Sequence, residues 1–136
     1  MLDTSVVIAA MRSPTGASAA LLRAARQEKF RLLANVALAL EYESTCRRAE
    51  HMLAAGLNAG EVDIFLDAVV GMAEPVESHF MWRPLLRDPG DELVLEAAVN
   101  GRAEAIVTFN VRDFGIAHKQ FGVEVLTPAM ALKRIK

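Results

Sequence analysis

The sequence carries a single cysteine, Cys46, among 136 residues, so it has no internal disulfide and reads as a protein of a reducing compartment, the cytoplasm. No apolar run approaches the roughly 18 to 20 residues that cross a bilayer. The start of the chain lacks the basic residues, long apolar stretch and cleavage site of a secretory leader. A basic excess is missing as well, with a net charge of −2 and a pI near 5.9. That balance argues against a module that binds nucleic acid by charge alone. It leaves room for an enzyme whose bound cations neutralise an acidic pocket and then hold phosphate. There is no Gly-x-Ser-x-Gly elbow and no phosphate-loop Gly-Lys-Ser/Thr, and His51, His79 and His118 lack zinc-ligand spacing. A receiver-like phosphotransfer domain would need a lysine beyond a later strand, and the turn after Thr108 has none. Repeats, linkers and low-complexity segments are absent, so residues 1–136 read as one domain.

What is present is a 53% hydrophobic, 24% charged chain in which short apolar runs alternate with helical patterns. Leu2 and Val6-Val7-Ile8 bracket Asp3-Thr4-Ser5 and read as a buried strand ending in a turn. Residues 17–28 are rich in strong helix formers. Residues 30–34 suit a second strand. Over 36–55 the recurrence of Leu38, Tyr42, Cys46, Ala49 and Leu53 at spacings of three and four predicts one helix, with Cys46 buried in its stripe. A further amphipathic helix is expected over 61–72, its apolar residues Ile64, Leu66, Val69, Val70 and Met72 serving as core or as an interface. Pro75-Val76 suggests a brief extended segment, and residues 82–86 lead into Asp88-Pro89-Gly90-Asp91. There Asp88 fits a helix cap with Pro89 at the first helical position, the helix running over 92–100 and Gly101 capping its end. Residues 105–108 read as a buried strand and 110–114 as a turn or short helix. The last strand is expected over 123–126, and Pro128 opens a terminal helix. This alternation predicts an α/β sandwich with a mostly parallel sheet.

In such a sheet ligands bind beyond the carboxyl ends of the strands. Asp3 falls in or at the end of the first strand, and Asn110 and Asp113 come just after the strand at 105–108. Asp91 lies in the first turn of the helix before that strand, and Glu41 joins them if its helix crosses that edge. Clustered Asp and Glu without Cys or His suits Mg²⁺ or Mn²⁺, and such a cluster is costly without a cation. Each residue also has a plain role. Asp3 can cap a turn, Glu41 can be a solvated helical glutamate, Asp91 can complement a helix dipole, and Asn110 and Asp113 can form a turn. Spacing alone leaves both sets open.

Four ordered segments carry a resemblance: Leu-Asp-Thr-Ser-Val-Val at 2–7, Ala-Leu-Glu-Tyr-Glu at 39–43, Arg-Asp-Pro-Gly-Asp-Glu-Leu-Val-Leu-Glu-Ala-Ala at 87–98, and Ala-Ile-Val-Thr-Phe-Asn-Val-Arg-Asp-Phe at 105–114. Together they resemble the PIN-domain family, in particular the toxin components of bacterial toxin–antitoxin systems. The resemblance implies a three-layer α/β/α sandwich with a mostly parallel central sheet. It implies a ribonuclease acting on single-stranded RNA with Mg²⁺ or Mn²⁺, a cognate antitoxin that plugs the groove, and a possible homodimer. Carried over by position, the catalytic acids are Asp3, Glu41, Asp91 and Asp113, which with Asn110 are the expected metal ligands. Asn110 stands where many members have Asp. Thr4, Ser5 and Thr108 match hydroxyls that hold the acids or waters in place, Ser5 standing where Asn is more common. The basic residues nearest the motifs are Arg87, Arg112, His118 and Lys119. Arg87, Arg112 and Lys119 are the expected RNA contacts, with Phe109 and Phe114 as candidates for base stacking and Phe114 better suited to the core. The chain starts two residues before Asp3, so a late start or a frayed first strand is expected, with Asp3 less rigid than in relatives. The alternative function is a PIN-like module that has lost catalysis and binds a protein or RNA.

Overall fold

A computed structural model describes residues 1–77 and 89–135. Asp88, Arg87 and the segment 82–86 lie outside the described residues. Eight α-helices and four short strands follow one another among the described residues. They are α1 (Thr4–Arg12), α2 (Ala17–Arg26), β1 (Leu33–Ala34), α3 (Val36–Cys46), α4 (Ala49–Ala55), α5 (Ala59–Met72), β2 (Glu74–Pro75), α6 (Pro89–Asn100), β3 (Ala105–Val107), α7 (Gly115–Phe121), β4 (Glu124–Leu126) and α8 (Pro128–Ile135), with a 3-10 turn at Val111–Phe114 before α7. The helix over 115–121 was not foreseen from sequence.

Val6-Val7-Ile8 is helical, not a strand, and all three residues are buried on α1. Their β-branched character favours a strand only weakly, and burial of the α1 face against α2 and α3 overrides that preference. The strand contribution of this segment shrinks to Leu2, which bridges Val107 in parallel. β3 in turn pairs with β4 in parallel, Ile106 opposite Val125. A second parallel pair joins β1 to β2. The fold is α/β with parallel strands as expected, but among the described residues the strands form two separate pairs rather than one continuous central sheet. Strands of two or three residues leave most of the packing to helices.

The expected fraying is also not found. Met1 and Leu2 are buried, the Met1 carbonyl accepts from Val107 N–H at 2.9 Å, and Asp3 N–H donates to the Val107 carbonyl at 2.9 Å.

The helix expected over 36–55 divides. Arg47 ends α3, its guanidinium pairing with Glu43 one turn back and with Asp63 of α5 at 2.6 Å. Arg48 is extended and restarts the chain as α4. Leu38, Tyr42 and Cys46 keep their buried stripe, whereas the break shifts the phase so that Leu53 is 82% exposed. The apolar run of α5 splits likewise: Leu66 and Val69 are core, while Ile64 and Val70 face outward. Asn58 and Glu61 form a reciprocal capping box that starts α5.

At the end of α6, Gly101 is not the left-handed residue. Arg102 takes that conformation (φ 53°), with Ala103 N–H reaching the Ala98 carbonyl at 2.9 Å in a Schellman arrangement. Glycine at 101 is required for another reason: a Cβ there would lie 2.7 Å from Val76 Cγ2 and 3.1 Å from the Ala97 carbonyl. Helix α6 thereby packs close to the segment after β2.

No single helix among the described residues is long and apolar enough to cross a membrane. Helices α1 and α2 are apolar enough as a pair, yet they meet at a 100° bend and pack on each other.

Candidate active site

Asp3 sits where the Leu2 bridge ends and α1 begins, in the N-cap position with extended backbone. An N-cap aspartate ordinarily spends its side chain on backbone N–H groups of the first turn. Here it does not. Oδ2 instead accepts from Ser5 Oγ at 2.8 Å and from Thr108 Oγ1 at 2.7 Å. Asp3 is 5% exposed and Thr108 is 0% exposed, so these hydroxyls replace water as the partners of the carboxylate. Thr108 is itself oriented, because its oxygen accepts from Asn110 N–H at 2.9 Å. One relay therefore runs from the turn after β3 through Thr108 to Asp3.

Glu41 comes from α3, half-buried, with Thr45 Oγ1 3.5 Å from its Oε1. The next residue fixes that helix. Tyr42 is buried, and its hydroxyl donates to the Leu2 carbonyl, tying α3 to the chain segment that carries Asp3. Burial first, and then the charge of Asp3, push the Tyr42 phenol far above the ordinary tyrosine range. It stays neutral and keeps its proton for the bond. Sequence periodicity marked Tyr42 as core but carried no sign of this clamp. Asp91 comes from the first turn of α6 and is half-buried.

These segments meet on one groove of about 690 Å³, lined among others by Asp3, Thr4, Ser5, Glu41, Asp91 and Asn110. Three carboxylates and a side-chain amide from four separate stretches of chain thus face one volume. Of the aromatic candidates, Phe109 lines this groove and is 53% exposed, while Phe114 is fully buried in the core.

The family model of the PIN domain matches residues 1–112. The chain belongs to the PIN-domain family. No curated protein and no solved structure gives a significant match. PIN domains are typically nucleases that use divalent cations and bind RNA, and this family membership carries the general nuclease and α/β assignments here.

Not every expected residue of this PIN domain reaches the groove. Asp113 is exposed on the 3-10 turn and is not among the lining residues, and neither are Arg112 and Lys119. His118 lines a separate, smaller hollow with Val111, Gly115, Glu124 and Val125. Arg87 lies outside the described residues. The cationic lining comes from elsewhere: Arg12 at the end of α1 and Arg48 between α3 and α4, with His51 beside them. None of these three is among the basic residues expected from sequence.

The donor set fits a divalent cation by chemistry. Carboxylate and amide oxygens without thiolate are what hard Mg²⁺ or Mn²⁺ prefers. Among the described residues no three of the His, Cys, Asp and Glu side chains stand close enough to grip an ion together.

Proposed function

We propose that this PIN domain is a Mg²⁺- or Mn²⁺-dependent endoribonuclease that hydrolyses phosphodiester bonds of single-stranded RNA, acting in the cytoplasm as the toxin of a toxin–antitoxin pair. The observation that supports it best is the convergence of Asp3, Glu41 and Asp91 on one groove of a PIN domain. Asp3, Glu41, Asp91 and Asn110 are the groups that would hold the cation. Bound there, a divalent ion would make water a stronger nucleophile and offset charge on the phosphodiester. Asp3 is the fixed member, since two hydroxyls and a buried position leave it one orientation. Glu41 is held more loosely by Thr45 and is the carboxylate we assign to accept the proton of the attacking water. The new bond joins the water oxygen to phosphorus, the bond from phosphorus to the 3′ oxygen breaks, and solvent protonates that oxygen. Phe109, exposed on the groove wall, offers a face for an unstacked base. Asp113, although outside the groove lining, stays in the reading as an outer acid. The antitoxin would cover the groove, and self-association follows the family resemblance.

A second reading is a PIN domain that binds RNA or a protein without cleaving. Two features favour it: Asn110 stands where the family resemblance expects an acid, and among the described residues no three of the His, Cys, Asp and Glu side chains are grouped to hold an ion. Labelled single-stranded RNA incubated with EDTA, Mg²⁺ or Mn²⁺, for wild type and Asp91→Asn, separates the two. Cleavage that needs the cation and disappears in the variant is expected. Intact RNA from folded, cation-supplied wild type across several sequences would replace the nuclease reading with the binding one.

A further inference from the structure

The groove is not uniformly acidic. Along α1 the residues that line it are Thr4, Ser5, Ile8, Ala9 and Arg12, with Ser13 just beyond. Their spacing of three to four is one face of a helix, so α1 forms a floor that runs from Asp3 to Arg12. At 1.5 Å per residue, nine residues separate the two ends by about 13 Å. Arg48 and His51 line the same groove. Among the described residues neither Arg12 nor Arg48 has an ion pair, although the chain carries 17 acidic residues. His51 is mostly buried, its Nε2 lies 3.9 Å from Glu50, and its Nδ1 is buried with no hydrogen-bond partner. A buried polar nitrogen without a partner is costly unless a ligand supplies one.

We propose that Arg12, Arg48 and His51 form a phosphate-binding end of the groove, which holds the backbone of single-stranded RNA at a fixed distance from the phosphodiester at Asp3, Glu41 and Asp91. This rests on the ribonuclease reading. A stacked strand advances about 3.4 Å per nucleotide, so a 13 Å floor spans up to roughly four nucleotides. The groove therefore takes a polynucleotide rather than a mononucleotide or a small phosphate ester. The guanidinium groups bind phosphate oxygens in the bidentate manner that lysine cannot match, and His51 lines the same end of the groove. The phosphodiester at Asp3, Glu41 and Asp91, where the cation would be held, is thereby set apart from the phosphate that the basic end anchors.

Fluorescence anisotropy with a labelled nine-nucleotide oligouridylate in Ca²⁺, measured across a salt series, tests this on the full chain. Arg12→Ala/Arg48→Ala is expected to weaken binding about tenfold or more and to reduce the salt slope by about 1.4, the single-strand value for two phosphate contacts. His51→Gln should weaken it further. Arg26→Ala, which removes an exposed charge outside the groove, should leave the affinity unchanged, and thermal melting of all variants should match wild type. Where wild type cleaves, KM should rise in the double variant with kcat held, the signature of uniform binding. Equal losses in Arg26→Ala and the double variant would overturn the assignment, as would an unchanged salt slope or wild type that binds no RNA. Arginine-dependent binding without cleavage would uphold the basic end and sink the nuclease reading; cleavage indifferent to both arginines would do the reverse.

Discussion

Replacing Thr108 by valine keeps the side-chain volume and removes the one oxygen through which the turn after β3 holds Asp3. In the wild type that oxygen donates to Asp3 Oδ2 at 2.7 Å and accepts from Asn110 N–H at 2.9 Å. A hydrogen bond to a charged group contributes about 1.5 to 3 kcal/mol. The Asn110 N–H, partly buried, loses its acceptor at a cost of about 1 kcal/mol, the low end for an unsatisfied group. Water cannot step in easily, because Thr108 is fully buried and Asp3 nearly so. The sum is about 2.5 to 4 kcal/mol, a sizeable part of the roughly 5 to 15 kcal/mol that holds a domain together. For a chain of this length that corresponds to a fall in Tm of roughly 5 to 15 °C. Thr108→Ser retains the hydroxyl and should recover most of the loss. Thermal and urea denaturation of the two variants beside wild type measures the difference, and RNA cleavage should fall about tenfold to a hundredfold in the valine variant alone. A valine variant that melts within about 1 °C of wild type would refute the relay as a stabilising element.

Two further outcomes follow from features described above. Tyr42 is the one tyrosine of the chain, so absorbance near 295 nm reports its ionisation directly. The buried phenol is raised above the unfolded value near 10, so its contribution to stability is complete below pH 10 and is lost as pH rises beyond it. Tyrosinate should appear together with alkaline unfolding; a reversible titration near pH 10 with intact circular dichroism would contradict the clamp. Gly101→Ala should destabilise by about 1 to 3 kcal/mol, since the new methyl meets Val76 Cγ2 and the Ala97 carbonyl. Urea midpoints test this, and Val76→Ala in the same chain should relieve part of the loss.

The sequence made the participants of the site legible more readily than their arrangement. Spacing alone leaves Asp3, Glu41 and Asp91 with plain structural roles as well, and it is the ordered set of four family-like segments that singles them out. The conformation around Asp3 was misread because Val6-Val7-Ile8 fits a strand by propensity and a helix by packing, and packing against α2 and α3 decides it. The break at Arg47 was hidden for a similar reason: its partner Asp63 lies on another helix, beyond the reach of periodicity. The cationic lining was missed although Arg12 and Arg48 lie only nine and seven residues from Asp3 and Glu41, because which basic side chains share the groove is decided by the packing of α1 against α3 and α4. Asp113 was favoured for its charge, yet the 3-10 turn turns it outward while Asn110 lines the groove. Gly101 was read through its most frequent use, the left-handed cap, when its actual role is clearance for Val76.

The contact between Asp3 and Thr108 joins positions 105 residues apart. During synthesis at about 5 to 20 residues per second, roughly 5 to 20 s elapse between the appearance of the two partners. Throughout that interval the innermost carboxylate has neither its threonine nor the Val107 backbone to hold it, and long-range pairings of this kind form late because the loop must close first. A ribosome-bound fragment ending before β3 would thus carry two of the site's acidic motifs and α6 without an assembled centre. A chain whose folded form attacks RNA would be inert on the message that encodes it until β3 and Thr108 have been made.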